Sequence, residues 1–331
     1  MINVILSGGV GSRLWPLSRK SRPKQYIPLF NRNSLFQLCV ERNAALADKI
    51  TVVGNIDNYQ LSQECLGAAG VRHYGEIVEA APRNTAAAIA FAAFATNPEE
   101  ILLICPSDHI IRDIKAYSEA VEHASKLACD GYLVTFGITP GKPETGYGYI
   151  EYKQNDVVSF REKPSLKDAE EFITSGRFLW NSGMFCFKAG VYLKELQIHE
   201  PALFAAALNA WNNRKGNFLP LKESMLIPSK SIDYAVMERS DKIKVVPASF
   251  DWSDLGSFES IWEHFEKETQ NDSFINNNMV LGFDKHVEFI GIKDLVLVNT
   301  KDALLILPKS ASQDVKKVYE RLEAENSVLL S

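Results

Sequence analysis

Arg13 and Lys24 follow closely on a glycine turn, Leu6-Ser7-Gly8-Gly9-Val10-Gly11-Ser12-Arg13, that the apolar run Asn3 to Leu6 leads into. Glycines let the backbone turn tightly and let a ligand come close to the N–H groups. Such N–H groups, with a helix dipole behind them, stabilise phosphate. The turn is neither of the two common phosphate loops. Gly9 and Gly11 are followed by Leu14 where a dinucleotide fingerprint needs a third glycine, and no Gly-Lys-Ser/Thr follows. A plain strand-to-helix connection would use the same glycines, so these residues alone leave both readings open. Pro16, Pro23 and Pro28 prevent a regular helix after the turn. That places Arg13 and Lys24 on an ordered surface loop, where they either reach a bound ligand or form a solvated basic edge. On a surface loop, replacing either should leave the fold intact.

Asp108 stands in Cys105-Pro106-Ser107-Asp108-His109, just past the apolar run Ile101 to Ile104. An aspartate at the end of a buried strand is placed to hold a cation, and Mg²⁺ takes one or two carboxylates besides phosphate oxygens and water. It could equally cap the next helix. Asp254, in Asp251-Trp252-Ser253-Asp254-Leu255-Gly256-Ser257, reads by itself as an Asx turn before Gly256.

The elements that must position these residues alternate along the first half. Asn3 to Leu6, Ile50 to Val53, Ile101 to Cys105 and Tyr132 to Phe136 read as buried strands. Helical stretches lie between them at Ser34 to Ala47, Asn84 to Thr96 and Ala116 to Ala128, with Ser34 as an N-cap. The fold class is therefore α/β, a mostly parallel sheet with helices on both faces, whose ligands bind beyond the carboxyl ends of the strands. In the second half Tyr147 to Tyr152, Val157 to Glu162 and Gly183 to Phe187 read as strands, with helices near Lys167 to Thr174 and Pro201 to Trp211. A polar stretch from Lys267 to Asn278 marks a boundary, so that 1–265 and 270–331 are expected as separate domains. The second is β-rich, with runs at Val280 to Phe283, Leu295 to Asn299 and Ala303 to Leu307. It ends in a helix with Val315, Val318, Tyr319 and Leu322 on one face.

Composition narrows the partners. Among 331 residues, 36 basic and 41 acidic side chains give a net charge of −5, so no basic excess points to nucleic acid. No apolar run approaches the ~20 residues of a membrane span. The N-terminus lacks the basic start of a signal peptide. Five cysteines, at 39, 65, 105, 129 and 186, show no paired spacing and are expected as reduced core thiols of a cytoplasmic protein.

The glycine turn continues as Leu14-Trp15-Pro16-Leu17-Ser18 and then Pro23-Lys24-Gln25. The whole stretch resembles the signature of the nucleoside-diphosphate-sugar pyrophosphorylases, and its Leu-Trp-Pro-Leu-Ser part is similar to the mannose-1-phosphate guanylyltransferase branch. Further matches are Glu79-Ala80-Ala81-Pro82-Arg83-Asn84-Thr85, Pro106-Ser107-Asp108-His109, Pro143-Glu144-Thr145-Gly146-Tyr147-Gly148-Tyr149-Ile150, Glu162-Lys163-Pro164, Trp180-Asn181-Ser182-Gly183-Met184-Phe185, Ser231-Ile232-Asp233-Tyr234 and Asn299-Thr300-Lys301-Asp302-Ala303. Ala80, Pro82 and Ala87 depart from the family's Glu-Pro-x-Gly-Arg-Asn-Thr-Ala-Pro-Ala, which puts the shape of the base-reading loop in question.

The resemblance implies a Rossmann-like catalytic domain with a small C-terminal domain like a left-handed β-helix. It implies a nucleotide on Leu6, Gly8, Gly9, Gly11, Ser12, Arg13, Arg83, Asn84, Thr85, Ser107 and Asp108. A sugar phosphate is implied on Tyr147, Gly148, Glu162, Lys163 and Asn181, and Mg²⁺ on Asp108 and Asp254. Trp180 and Met184 are expected in the core, and His109 as a positioning residue. The implied reaction is attack of mannose 1-phosphate on the α-phosphorus of GTP, with Arg13 and Lys24 offsetting charge and no side-chain nucleophile. Pyrophosphorylases for another base or hexose, and a homologue that binds without turnover, are the readings it must beat. A homodimer is among the partners this reading admits. Bifunctional relatives carry a sugar isomerase domain after the terminal helix; with Ser331 as the last residue, that activity is expected to be absent.

Overall fold

The computed structural model describes residues 1–29, 33–267 and 273–331. The chain divides into two compact units. One comprises Met1–Gly8, Cys39–Ser107 and Ile111–Trp252; the other comprises Gly9–Leu38, Asp108–Ile110 and Ser253–Ser331.

The first unit is built on a nine-stranded sheet. Its strands are β1 (Ile2–Ser7), β2 (Lys49–Asn55), β3 (Gly75–Glu79), β4 (Ile101–Pro106), β6 (Leu133–Ile138), β7 (Gly148–Lys153), β8 (Asp156–Glu162), β9 (Phe178–Lys188) and β10 (Ile243–Ala248). Two two-residue strands, β5 (Ile110–Ile111) and β11 (Trp252–Ser253), stand where the chain passes from one unit into the other. The spatial order is β3-β2-β1-β4-β9-β6-β10-β8-β7. β1, β2, β3 and β4 are parallel to one another, and β6 is parallel to β10. β9 runs antiparallel between β4 and β6, and β8 is antiparallel to β7 and β10. Only β8 and β9 are thus reversed, and the sheet is mostly parallel as expected.

Helices cover both faces because successive strand residues point to opposite sides. Val4, Leu102 and Ile104 pack in one cluster with α3 (Asn84–Phe94), α6 (Ala189–His199) and α7 (Pro201–Asn212). On the opposite face Cys105 meets Tyr117 of α4 (Ile114–Cys129), Sγ to Oη 3.5 Å. α3 is Ala-rich, and Ala86 to Ala93 are all buried. Asp113, not Asp108, caps α4 by accepting the Ala116 N–H at 2.9 Å. Ser34 is the expected cap of α1 (Leu35–Ala44). Its hydroxyl accepts the Gln37 N–H at 3.2 Å, and the Gln37 side chain accepts the Ser34 N–H at 2.8 Å.

The second unit holds the four-stranded sheet β12 (Phe274–Ile275), β13 (Asn278–Leu281), β14 (Leu295–Asn299) and β15 (Leu304–Pro308). Its core joins Met279, Val296 and Val298 of these strands to Phe258, Ile261 and Trp262 of the helix Phe258–Glu266. Tyr319 and Leu322 of the terminal helix Val315–Ala324 complete it, together with Leu14 and Trp15 from the glycine loop. Of the polar stretch that marked a domain boundary, residues 268–272 lie outside the described residues.

The cysteines are all free, but not all are core thiols. Cys39, Cys105 and Cys186 are buried, Cys65 is half-buried, and Cys129 at the end of α4 is exposed. Among the described residues no helix is long and apolar enough to cross a membrane.

Candidate active site

The prolines leave the glycine loop two short 3₁₀ turns, Ser12–Leu14 and Lys24–Tyr26, in place of a helix. The loop closes on itself: Lys24 N–H donates to the Val10 carbonyl at 3.1 Å, and the Ser18 hydroxyl to that of Gly11 at 2.6 Å. Gly11 has φ +77°, and a Cβ there would stand 2.5 Å from the Lys24 Cβ. Only glycine satisfies both demands. The close approach brings the Lys24 ammonium to the Asp108 carboxylate at 2.7 Å and to the Asp254 backbone carbonyl at 2.6 Å. The two aspartates, distant in sequence, therefore meet one cation. Lys24 is 5% exposed, so the surface position expected for it is wrong. Packing of the loop against Gly11 closes over the stem, a tertiary effect with no local signature.

Burial disfavours charge on Asp108, but Lys24 and then His109 outweigh this and hold its carboxyl below the usual range. His109 Nε2 lies 3.8 Å from the other oxygen. Asp254 does form the Asx turn, with Oδ1 accepting the Gly256 N–H at 3.1 Å. A Cβ at Gly256 would stand 2.6 Å from Oδ2, so a larger residue there would displace that oxygen. Arg13 is half-buried, and its guanidinium makes no hydrogen bond or ion pair with the described residues. Ser12 is half-buried and Gly9 exposed on the same loop.

Of the remaining residues assigned to a nucleotide, Leu6, Gly8, Arg83, Asn84, Thr85 and Ser107 belong to the first unit. Ser107 is buried and donates its N–H to the Leu6 carbonyl at 3.0 Å. Asn84 is exposed with φ +70°, and its side chain accepts the Thr85 N–H at 2.8 Å. Arg83 Nε donates to the Ile227 carbonyl at 2.7 Å, and the Thr85 hydroxyl accepts the Ile232 N–H at 2.9 Å. The start of α3 is thereby tied to the 227–233 segment. Glu79 ends β3 beneath this loop and accepts the Arg83 N–H; burial pushes its carboxyl up to about 8.

The sugar-phosphate residues gather on β7, β8 and β9. Gly148 pairs with Glu162 across β7 and β8, and a Cβ at Gly148 would meet the Glu162 carboxylate at 2.4 Å. Lys163, with φ +48°, reaches Glu162 at 3.2 Å and donates its N–H to the Tyr147 carbonyl at 3.2 Å. The Tyr147 ring stands edge-on to Trp180 and Trp252, at 5.2 and 5.4 Å. Asn181 is clamped: its carbonyl accepts from the Thr135 hydroxyl at 3.0 Å and the Gly183 N–H at 3.2 Å, and its amide donates to Asp233 at 2.9 Å. Burial pushes the Asp233 carboxyl up. Burial also pushes Glu162 up, and the charge of Asp233 adds to it. Two carboxylates, a clamped amide and an exposed lysine form a set that hydroxyls and a phosphate would satisfy. Trp180 and Met184 are buried as expected.

The family model for nucleotidyl transferases matches residues 2–271. The chain belongs to the nucleotidyl transferase family. A second family model, the mannose-phosphate isomerase/GMP-like β-helix domain, matches residues 273–322. This nucleotidyl transferase is 41% identical to the mannose-1-phosphate guanylyltransferase RfbM of Salmonella typhimurium, over 97% of its own length and 72% of that protein's. Its fold matches the crystal structure of a Thermus thermophilus protein described as a mannose-1-phosphate geranyltransferase, with a TM-score of 0.84 and 29% identity. That match covers 97% of this chain and 99% of the other. A Helicobacter pylori structure described as mannose-6-phosphate isomerase matches with a TM-score of 0.70 and 38% identity, over 76% of this chain and 98% of that one.

In this nucleotidyl transferase the sequence reading missed the contribution of Asp233 and Thr135. The Ser231-Ile232-Asp233 motif was a signal for the first. Thr135, inside an unbroken apolar strand, carried none beyond being the single polar residue in Leu133–Phe136.

Proposed function

We propose that the chain forms GDP-mannose and pyrophosphate from GTP and mannose 1-phosphate. The observation that carries this reading is the Lys24 ammonium gripped between Asp108 and Asp254 beside a glycine turn, in a nucleotidyl transferase whose relatives include a mannose-1-phosphate guanylyltransferase. An ammonium has three donors, and two are engaged by these contacts. Among the described residues the third meets no partner and can take a phosphate oxygen, and Arg13 on the same loop adds a second cation to offset charge on the triphosphate. Asp108 stays ionised beside Lys24. The Asp108 carboxylate and the Asp254 backbone carbonyl are oxygen donors of the kind a divalent cation takes, and such an ion draws its other ligands from phosphate and water. When bound, Mg²⁺ would polarise the phosphates.

For the hexose, Glu162 and Asp233 are acceptors for hydroxyl protons, and the clamped Asn181 amide presents its second N–H in a fixed direction. Lys163 would hold the attacking phosphate. No side-chain nucleophile is needed, so rate comes from positioning and charge neutralisation. The test offers the purified chain each nucleoside triphosphate with each common hexose 1-phosphate, and separately mannose 6-phosphate, and reads products by mass. GDP-mannose as the main product is expected. Preference for UTP or dTTP, or isomerisation of mannose 6-phosphate without nucleotide transfer, would overturn the assignment.

A further inference from the structure

The Asn299-to-Ala303 motif plays no part in the proposed chemistry, yet within the second unit it grips the loop that carries Lys24. The link is Arg19, 8% exposed. Its Nη2 meets the Asp302 carboxylate at 2.6 Å and the Thr300 hydroxyl at 3.3 Å, its Nε donates to the Pro16 carbonyl at 3.0 Å, and its Nη1 donates to the Leu329 carbonyl. The Trp15 indole N–H donates to that same Leu329 carbonyl at 3.1 Å, and the Lys20 N–H to the Leu330 carbonyl at 2.9 Å. Lys20 Nζ adds an ion pair with Glu323 at 2.7 Å.

Both sides of this joint are stiff. The turn between β14 and β15 holds itself: the Thr300 hydroxyl lies 3.1 Å from the Asp302 carboxylate and accepts the Ala303 N–H at 3.2 Å, while Thr300 N–H donates to the Ala303 carbonyl at 2.9 Å. Asp302 is thus aimed before Arg19 arrives. On the loop side, Ser18, the neighbour of Arg19, bonds the Gly11 carbonyl at 2.6 Å, and Gly11 abuts Lys24. A displaced Arg19 therefore shifts Ser18, then Gly11, then the ammonium between the aspartates. A planar fork with five donors suits such a joint, because it fixes direction as well as charge.

We infer that the Thr300–Asp302 turn and the Leu329 carbonyl are positioning elements of the reaction, acting through Arg19 on the loop that presents Lys24. This rests on the nucleotidyl-transfer reading. The experiment compares Asp302→Ala, Asp302→Glu and Thr300→Val in the full chain, well below the unfolding temperature. It reads kcat and both KM values, and amide hydrogen exchange across residues 11–25. Asp302 is half exposed, so these variants are expected to fold; should Asp302→Ala not do so, Thr300→Val is read in its place. In Asp302→Ala, kcat should fall roughly 10–100-fold, the range for small misplacement of catalytic groups. The sugar-phosphate KM should hold, exchange should rise across 11–25, and Asp302→Glu should recover most of the rate. A merely structural joint would move melting temperature and exchange without moving kcat. Unchanged kcat in Asp302→Ala, with or without faster exchange, overturns the inference. An unaltered chain without nucleotidyl transfer would instead overturn the functional reading.

Discussion

Lys24 and Arg13 are alike in sequence and opposite in setting. Removing the Lys24 ammonium strips Asp108 of its nearer ion-pair partner and the Asp254 carbonyl of a donor. Lys24→Ala should therefore cost about 1–3 kcal/mol of stability, as for an unsatisfied buried group. It should also cost roughly 10²–10³ in kcat, as for loss of one preorganised charge contact. Arg13→Ala removes no hydrogen bond or ion pair with the described residues and should lose turnover at a nearly unchanged melting temperature. Chemical denaturation beside steady-state kinetics checks both; equal stability losses would mean that Arg13 has a structural partner. Asp108 and Asp254 should behave as one site. In a double-mutant cycle of Asp108→Asn and Asp254→Asn across a Mg²⁺ titration, the double variant should be little worse than the worse single one. Fully additive losses at unchanged Mg²⁺ dependence would separate them.

At the scale of elements, β3 delivers Glu79 to the start of α3, and burial there has a consequence for pH. The folded carboxyl titrates at about 8, against 4.5 in its ordinary state. The folded chain thus keeps a proton that the unfolded chain releases between these values. Stability from this group is fully present below pH 4.5, falls as pH rises through the window, and levels off above about 8. The slope is at most about 1.4 kcal/mol per pH unit. Glu79→Gln keeps the acceptor for the Arg83 N–H and removes the titration. It should be the more stable form at pH 8 and match the unaltered chain near pH 4.5. Parallel stability curves for the two proteins between pH 4.5 and 8.5 would show that Glu79 is already ionised in the fold.

For the whole molecule, we propose that the chain divides as 1–265 and 270–331. Limited proteolysis should cut first between Lys267 and Asn278. The second compact unit adds an expectation of its own. Phe258, Ile261 and Trp262, before the junction, share a core with Met279, Val296 and Tyr319, after it. A single cut should therefore leave the fragments associated during size-exclusion chromatography in native buffer. Early cleavage within the first 260 residues would contradict the junction, and fragments that separate would show that the shared core is too weak to hold them.

The elements were legible wherever local pattern and tertiary demand agreed. The strands at Asn3, Ile50, Ile101 and Tyr132, the Ser34 cap, the amphipathic terminal helix and the glycine turn follow from hydrophobic period, capping chemistry and positive φ, all carried within a few residues, whereas β3, Gly75–Glu79, was not read. The identities at the candidate site were legible through motifs for the same reason: a close approach such as Gly11 on Lys24 leaves a residue type behind. Partnership was not. That Lys24 is buried, that Asp108 and Asp254 meet it, that Asp233 clamps Asn181, and that Asp302 reaches Arg19 depend on segments brought together across tens to hundreds of positions. Such pairs are selected by the packing of whole elements, and neither partner's neighbours in the chain encode them. Residue types and local elements were thus settled by the sequence, whereas burial, charge pairing and the bracing of the loop were decided by the tertiary structure, because desolvation and Coulomb energy depend on distance in space rather than along the chain.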